Sequence, residues 1–471
     1  MRIILSCLLF SLLISVSSFS QLRLPAVITS GMVLQQKDSV SLWGWGYNGQ
    51  QVKISGSWDN TASTVTISNQ GKWLLKIKTP TAGGPYTLRI SSPGAEIVLN
   101  DVMIGEVWLC SGQSNMEWSY YNGAKFIKEE LPVAYNKNIR FFQVPRTASD
   151  YPQDDVKGSW QVCDSNSLKG FSAVGYFFGK KLQHDLDVPI GLINASWGGT
   201  PAEVWTPSES IYNNEVLKTA AAKLQEVPWG PVKPGLNYNG MLAPLTKYNI
   251  AGAIWYQGEA NVGTYSTYSQ LMSTMIDAWR AKWKKVIPFY YVQIAPYNYG
   301  KQYEGALLQE QQTKTMSHPR TGMVVITDQI DSATNIHPSD KTEVGKRLAN
   351  WALAENYHQN IAAYKSPVFK KSETVKDKLV LSFDNAPNGL MAKDKIISGV
   401  YISGETEEWL PAEVKIENDK VIAWNKKLKQ PVYVRYGFGN TLTASIFSKE
   451  GLPLCPFRTD NWLAEKAPLT N

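Results

Sequence analysis

Residues that build metal centres and disulfide frameworks are scarce in this chain. It has four cysteines and four histidines among 471 residues, and no two histidines stand at metal-ligand spacing. This argues against a dedicated zinc site. Cys7 lies in an N-terminal segment that we expect to be removed, so Cys110, Cys163 and Cys455 allow one intramolecular disulfide at most. Disulfides therefore do not carry the fold. Whether Cys110 pairs with Cys163 stays open, although the apolar surroundings of Cys110 favour a buried thiol.

The phosphate-binding loop GxxxxGK[ST] is also absent. A GxGxxG match at Gly44–Gly49 lies in an alternating β stretch with no helix pattern after it, so it lacks the strand–turn–helix context of a dinucleotide site. We therefore expect no cofactor. The formal net charge of +7 is scattered along the chain. Its densest basic cluster, Lys282–Lys285, is typical of a solvated helix end and not of a nucleic-acid-binding surface. We expect no nucleic-acid partner, and we find no internal repeat or low-complexity linker.

Long apolar runs are missing after the first twenty residues. The chain starts with Met1 and Arg2, continues with the apolar stretch Ile3–Val16 and then has a tail of mostly small residues, Ser17–Ser20. This pattern predicts a secretory signal peptide over residues 1–20, with an uncleaved anchor as the alternative. No later stretch is long and apolar enough to span a membrane. We predict an exported protein, periplasmic or extracellular, without a membrane span after signal cleavage.

What the chain does contain divides it into three parts. Residues 21–100 alternate apolar and polar side chains in short runs such as Ser39–Trp45, which predicts a small β-sandwich-like domain. Residues 101–358 alternate strand and helix patterns and form the predicted catalytic domain. Residues 359–471 return to the β pattern, either as a third domain or as strands that complete the N-terminal β domain.

The middle part carries compact apolar runs separated by amphipathic segments. The predicted strands are Val102–Cys110, Ile190–Asn194, Ala251–Tyr256, Phe289–Ile294 and Met323–Ile326. The predicted helices are Gly175–Asp185, Ser266–Lys284, Glu304–Ser317 and Ser339–Tyr357. Strand–helix alternation favours a largely parallel sheet with helices on both faces. Such sheets bind ligands outside the carboxyl ends of their strands.

Chemically active residues follow these strands. Ser114 lies in the turn SGQSN after the first strand, where a starting helix would direct unpaired N–H groups at a ligand. His337 follows the last strand. Alone, Ser114 is as readily a helix cap and His337 a loop residue. Together at one sheet edge they are the parts of a serine hydrolase, with Ser114 as nucleophile and His337 as general base.

Such a site also needs oxyanion donors and a group that orients the histidine. The backbone N–H of Ser114, the N–H of Gly198 or Gly199, and an amide from Gln257 or Asn261 are the predicted donors.

A carboxylate should orient the second ring nitrogen of His337. Asp331 is the first candidate and Asp328 the alternative.

At this point the chain resembles the sialate O-acetylesterase family of the SGNH (GDSL-type) hydrolases. The resemblance lies in four segments, which are Gly105–Met116, Trp197–Thr200, Trp255–Asn261 and Ile336–Lys341. It implies a flavodoxin-like three-layer α/β/α core with flanking all-β segments. It also implies an esterase that removes O-acetyl groups from carbohydrate, either sialic acid or plant glycans of the hemicellulose type, through an acetyl-serine intermediate.

The same resemblance matches Ser114 to the family nucleophile, His337 to its base, and Gly199 or its neighbour to its oxyanion glycine. Many SGNH enzymes have an aspartate three residues before the histidine, and this chain has Thr334 there. A dyad without a side-chain acid therefore stays open beside Asp331 and Asp328. The content of 17 Trp and 23 Tyr also fits the competing hypothesis of a non-catalytic carbohydrate-binding protein on a hydrolase scaffold. The presence of both Ser114 and His337 favours the enzyme.

Overall fold

The computed structural model describes residues 22–59 and 61–462. The predicted signal peptide, residues 1–20, lies outside the described residues and stays a prediction. No helix within the described part of the chain combines the length and the apolar character that a membrane crossing requires.

The first part of the described chain is all β. Its strands are β1 Val33–Gln35, β2 Ser39–Trp45, β3 Gln51–Gly56, β4 Ala62–Thr66, β5 Lys72–Lys78 and β6 Gly83–Ser92. Strands β3, β4 and β6 form antiparallel pairs, and β2 pairs with β5. Their alternating burial, as in β3, follows the alternating sequence.

One long strand, β7 (Ala95–Gly112), joins this β region to the central sheet. Its first half pairs with β6 and β1. Its second half lies in the middle of a sheet whose further strands are β8 Asn136–Gln143, β9 Trp160–Cys163, β10 Ile190–Ser196, β11 Gly252–Tyr256, β12 Phe289–Val292 and β13 Thr321–Val324. The order is β13-β12-β11-β7-β10-β8-β9, and all neighbours except β8 and β9 are parallel. Within it, β10-β7-β11-β12-β13 has the flavodoxin-like order 2-1-3-4-5.

Helices cover both faces of this sheet. They are α1 Ser114–Glu117, α2 Ile127–Glu130, α3 Ser165–Lys169, α4 Ala173–Leu186, α5 Ser208–Tyr212, α6 Glu215–Ala221, α7 Tyr268–Trp283, α8 Glu304–Thr315 and α9 Thr342–Glu355. Alternate residues of β7 face opposite layers: Trp108 packs on Phe178 of α4, whereas Leu109 belongs to the core that includes Trp279 of α7. Because both faces are covered, β10, β11 and β12 are buried along their whole length and are mostly apolar.

The C-terminal part is again all β. Its strands are β14 Val368–Val375, β15 Lys378–Asp384, β16 Leu390–Ala392, β17 Val400–Ser403, β18 Trp409–Pro411, β19 Glu413–Glu417, β20 Lys420–Trp424, β21 Tyr433–Tyr436, β22 Ile446–Ser448 and β23 Phe457–Arg458. They form the sheets β14-β15-β20-β19, β18-β17-β21-β23 and β16-β22. Arg458 anchors them to the helical layer through Glu310 of α8, at 2.9 Å.

The predicted fold class is confirmed: a three-layer α/β/α core is flanked by β segments. The predicted helix Ser266–Lys284 corresponds to α7, whose buried residues recur at helical spacing. Strands β8 and β9 were not predicted. Cys110, Cys163 and Cys455 are free and buried, so the structure contains no disulfide between Cys110 and Cys163.

Candidate active site

The turn after β7 is shaped by Gly112. Its φ of +139° lies in the region that favours glycine, and a Cβ there would stand 2.2 Å from the carbonyl oxygen of Tyr256. Without that side chain, the turn packs against the neighbouring strand ends. The N–H of Gln113 donates to Tyr256, and the N–H of Trp197 donates to Gly112. The ends of β7, β10 and β11 are thus tied together, and Ser114 follows as the first residue of α1.

Ser114 and His337 meet at this edge. The Oγ of Ser114 lies 2.9 Å from Nε2 of His337, although 223 positions separate them in the sequence. The indole of Trp118 stacks on the imidazole, with ring centroids 4.2 Å apart and planes inclined by 24°. Hydrogen bonding and stacking therefore orient one ring nitrogen towards the serine. This is the geometry that proton transfer from a serine hydroxyl requires.

The aspartates predicted to orient His337 are engaged elsewhere. Asp331 accepts hydrogen bonds from the N–H and hydroxyl of Ser339, at 2.8 and 3.0 Å, and forms an ion pair with Lys125. Asp328 forms a two-pronged ion pair with Arg347, with distances of 2.8 and 2.6 Å. Within residues 22–59 and 61–462, the imidazole of His337 has no hydrogen bond to a carboxylate. Neither aspartate is placed as the predicted acid, because a nearby cation binds each one.

Two backbone donors belong to residues that line the cleft with His337. Among the described residues, the N–H groups of Ser114 and Gly199 have no acceptor. The N–H of Gly198 differs, because it donates to Glu117 at 2.9 Å. Of the two predicted glycines, Gly199 thus keeps its donor available for a ligand.

The structure does not bring Gln257 or Asn261 to the cleft. Both side chains are fully buried. The amide nitrogen of Gln257 donates to Thr200 and Asn261, at 3.2 and 2.8 Å. That of Asn261 donates to Glu203 and Thr264, at 2.9 and 3.2 Å. Their amide N–H groups donate to buried partners, so the structure does not present them to the cleft as oxyanion donors.

Gln113 is a further candidate for the amide donor, and the sequence interpretation overlooked it. Its Oε1 accepts hydrogen bonds from the N–H groups of Gly258 and Ala260, both at 3.3 Å. Two donors fix this atom as the oxygen, which leaves the Nε2 group without an acceptor in the described part of the chain. Gln113 lines the same cleft as Ser114. Its position next to the serine was the only sequence signal, and that position does not reveal where the side chain points.

The cleft above the pair has a volume of about 530 Å³. The polar residues that line it are Gln113, Ser114, Gln225, Glu259 and His337, and Gly199 contributes backbone. The remaining lining is apolar and consists of Pro201, Leu224, Val227, Trp229, Val232, Ala260 and Ile336. Trp229 is 59% exposed, and its Nε1 would stand 2.3 Å from a Cβ at Gly199. In contrast, Trp205 and Trp255 are buried core residues. Trp229 is therefore the tryptophan best placed to stack on a sugar ring.

A buried polar cluster lies beneath the pair. Asn115 accepts a hydrogen bond from Nζ of Lys341 at 2.6 Å and donates to Oε1 of Glu259 at 2.6 Å. Burial raises the pKa of Glu259 and lowers that of Lys341 to about 7. Burial and, second, the charge of Lys341 lower the pKa of His337 to about 4. No group of three or more His, Cys, Asp or Glu side chains in the described chain is arranged to hold a metal ion.

Comparison with known proteins assigns this arrangement to a family. Residues 104–354, which include β10 to β13 and Ser114 and His337, match the family model of carbohydrate esterases described as sialic acid-specific acetylesterases. This is more than half of the chain. The chain belongs to this family.

This chain resembles several known acetylesterases along most of its length. It is 34% identical to a carbohydrate acetylesterase from Xanthomonas citri, with a TM-score of 0.86, and the match covers 94% of this chain and 100% of that one. It is 28% identical to the sialate O-acetylesterase of Homo sapiens over 83% of this chain and 82% of the human protein. The mouse enzyme is 27% identical over 88% and 89%. The predicted family and the class of carboxylic ester hydrolase are confirmed.

Proposed function

We propose that this acetylesterase-family chain hydrolyses O-acetyl esters of carbohydrate through an acetyl-Ser114 intermediate. The observation that carries the proposal is the 2.9 Å contact between Ser114 Oγ and His337 Nε2 at the base of an open cleft. The names of its relatives, sialate O-acetylesterase and carbohydrate acetylesterase, support an acetylated sugar as substrate.

The chemistry follows from the positions of these two residues. His337 Nε2 takes the proton of the Ser114 hydroxyl while Oγ bonds to the ester carbonyl carbon. The imidazolium then gives this proton to the sugar oxygen as the bond between that oxygen and the acyl carbon breaks. Water attacks acetyl-Ser114 in the second half, His337 takes one water proton and returns it to Oγ, and acetic acid leaves and ionises to acetate. No step needs a cofactor.

Three donors are available for the oxyanion that forms in both halves. They are the N–H groups of Ser114 and Gly199 and the Nε2 group of Gln113, none of which has an acceptor in the described structure. Donors that are fixed before the reaction stabilise the developing negative charge without reorganisation, and one such donor is typically worth about 2.7–4 kcal/mol of barrier.

The cleft also bears on the substrate. Its described lining contains the carboxylate of Glu259 and no lysine or arginine. The nearby cation Arg146 is engaged by Glu117, at 2.7 Å. This charge pattern favours an uncharged acetylated sugar at the reacting position. The two proposed substrate classes are acetylated sialic acid and acetylated hemicellulose. Parallel assays of acetate release from each substrate decide between them.

The first experiment measures hydrolysis of 4-nitrophenyl acetate by the mature chain and by Ser114→Ala and His337→Ala. We expect both variants to lose most of the rate, because each removes a group that the reaction requires. Ser317→Ala and His184→Ala, at exposed positions, are matched controls that should keep the wild-type rate. Intact-mass measurement after rapid acid quenching should show one acetyl group on the wild-type protein and none on Ser114→Ala.

A non-catalytic carbohydrate-binding protein is the competing function. Comparable rates in all variants would contradict the proposed site and favour that alternative. Export is a further part of the proposal and depends only on the signal-like residues 1–20. It is tested by sequencing the N-terminus of the protein recovered from the exported fraction.

A further inference from the structure

Lys341 is a buried cation next to the proposed catalytic pair. Its side chain has no exposure to solvent, its Nζ donates to Oδ1 of Asn115 at 2.6 Å, and it lies 5.2 Å from the ring centre of Tyr256. Burying an ammonium group costs several kcal/mol, so such a residue stands out when no carboxylate pairs with it directly. The described ion pairs include none with Lys341.

Asn115 connects this lysine to both catalytic residues. It follows Ser114 in the sequence, and its Nδ2 donates to the carbonyl oxygen of Ile336, the residue before His337, at 3.0 Å. The same amide group donates to Glu259. One buried amide therefore holds the loop of His337 against the helix of Ser114, and Lys341 fixes the orientation of that amide by binding its oxygen.

We propose that Lys341 is a positioning residue of the esterase, which holds Asn115 as the tie between the two catalytic loops. Its positive charge also disfavours protonation of His337, after the larger effect of burial. The inference depends on the proposed role of His337 as the base. A base must be neutral to accept the proton of Ser114. Near pH 4, where His337 titrates, a lysine with a pKa of about 7 carries its positive charge, and Lys341 exchanges no proton with the substrate.

The charges around His337 agree with this role. Lys341 is the charged group that acts on its pKa, which burial first and this charge second hold at about 4. The carboxylates nearby have their own partners: Asp331 binds Lys125 and Ser339, Asp340 accepts the N–H of Thr342, and Glu259 binds Asn115. On the side of Ser114, Glu117 is paired with Arg146. No carboxylate is among the groups that shift the pKa of His337, so none offsets the effect of Lys341.

The test follows the protonation of His337 directly. The chain has four histidines, so carbon-13-labelled imidazole signals can be titrated by NMR and the signal of His337 assigned with His337→Gln. The wild-type pKa should lie near 4, well below the ordinary 6.5. Lys341→Met should raise it. Lys341→Gln, which keeps a donor for Asn115 without the charge, should raise it as well and retain more kcat than Lys341→Met.

The pH profile of kcat/KM gives the second readout. Activity needs neutral His337. The acid limb of the kcat/KM profile should therefore move to higher pH in both Lys341 variants, by the same pKa shift that NMR records. Lys346→Met, on the exposed face of α9, is the matched control and should leave limb and pKa unchanged.

Two outcomes overturn the proposal. The first is a His337 pKa near 6.5 in the wild-type protein, a result that does not depend on whether the variants fold. The second is an unchanged His337 pKa in the Lys341 variants, with or without a lower unfolding temperature, which would leave Lys341 a structural residue only. Since NMR reads the pKa without turnover, these results stay separate from a failure of the proposed esterase activity.

Discussion

At the scale of single residues, Gln113 offers a sharp test of the oxyanion site. In Gln113→Glu, one carboxylate oxygen can still accept from Gly258 and Ala260, while the free N–H₂ group is replaced by an oxygen. We expect kcat to fall by about 10²–10³ or more, because a donor is lost and a like charge is placed near the oxyanion. Steady-state kinetics on 4-nitrophenyl acetate measure this fall, with KM changing less than kcat.

The cleft supplies the control for that change. Gln225 also lines it but lies on the exposed rim, so Gln225→Glu makes the same chemical substitution away from the oxyanion. It should keep kcat close to wild type. Wild-type kcat in Gln113→Glu would remove Gln113 from the oxyanion site.

Sequence reasoning predicted where residues lie along the sheet better than it predicted which side chains they bind. Ser114 and His337 each follow a strand of one parallel sheet, and the sheet alone brings strand ends together. Side-chain partners depend instead on distant residues. Asp331 is bound by Lys125, which is 206 positions away, and Asn261 by Glu203, which is 58 positions away. No local pattern predicts such pairs, and sequence reasoning therefore did not foresee that Lys125 and Glu203 would bind Asp331 and Asn261.

At the scale of elements, the loop between β13 and α9 explains how His337 is held without a carboxylate. Asp331 binds Ser339 inside the loop and Lys125 from the segment after α1. The carbonyl oxygen of Ser339 accepts the N–H of Lys125 at 2.9 Å. Although partial burial acts to raise it, the hydrogen bonds from Lys125 and Ser339 hold the pKa of Asp331 below its ordinary value. The loop is thus fastened by a carboxylate that does not touch the imidazole.

Because Asp331 does not contact the imidazole, the loss caused by Asp331→Asn distinguishes a Ser–His dyad from a Ser–His–Asp triad. In serine proteases, changing the triad aspartate to asparagine lowers kcat by about 10⁴. Here Asp331→Asn should lower kcat by less than about tenfold, because it loosens one partly exposed ion pair that is worth about 1 kcal/mol at most. Lys125→Met should give a similar loss and the double variant little more, since all three remove the same contact.

Asp340→Asn is the matched control for this series, because Asp340 lies in the same loop and bonds only locally to Thr342. A loss near 10⁴ in Asp331→Asn alone would contradict the dyad and restore Asp331 as the acid. The kcat values of the four variants on 4-nitrophenyl acetate decide the question.

Longer elements were easier to predict than short ones. The apolar residues of α7 recur over four turns, and both ends of the predicted helix lie within two residues of Tyr268–Trp283. By contrast, β9 has four residues, and β8 mixes polar and apolar side chains without a clear period. Their pairing is set by the adjacent β10, so tertiary contacts and not local pattern specify them.

At the scale of the whole molecule, the predicted boundary near residue 100 falls inside β7. The β region and one face of the central sheet also share a single apolar core, which runs from Leu22 and Ile54 to Leu109 and Trp279. Glu106 on β7 adds polar links, because it accepts hydrogen bonds from Gln35, Gln36 and Tyr357 at 2.8–2.9 Å. The C-terminal sheets have a core cluster of their own. We therefore expect the first two parts to unfold as one unit.

A core truncation far from the active site tests this coupling. Ile54→Ala, in the N-terminal β region, removes a side chain that is 1% exposed and should cost about 2–5 kcal/mol of unfolding free energy. If the core is shared, the urea midpoint measured by loss of esterase activity should fall together with the midpoint measured by tryptophan fluorescence. Leu381→Ala, equally buried in the C-terminal cluster, is the matched truncation and should move the activity midpoint less. An activity midpoint that Ile54→Ala leaves unchanged would show that the catalytic core folds without the β region, and would favour the separate domains predicted from the sequence.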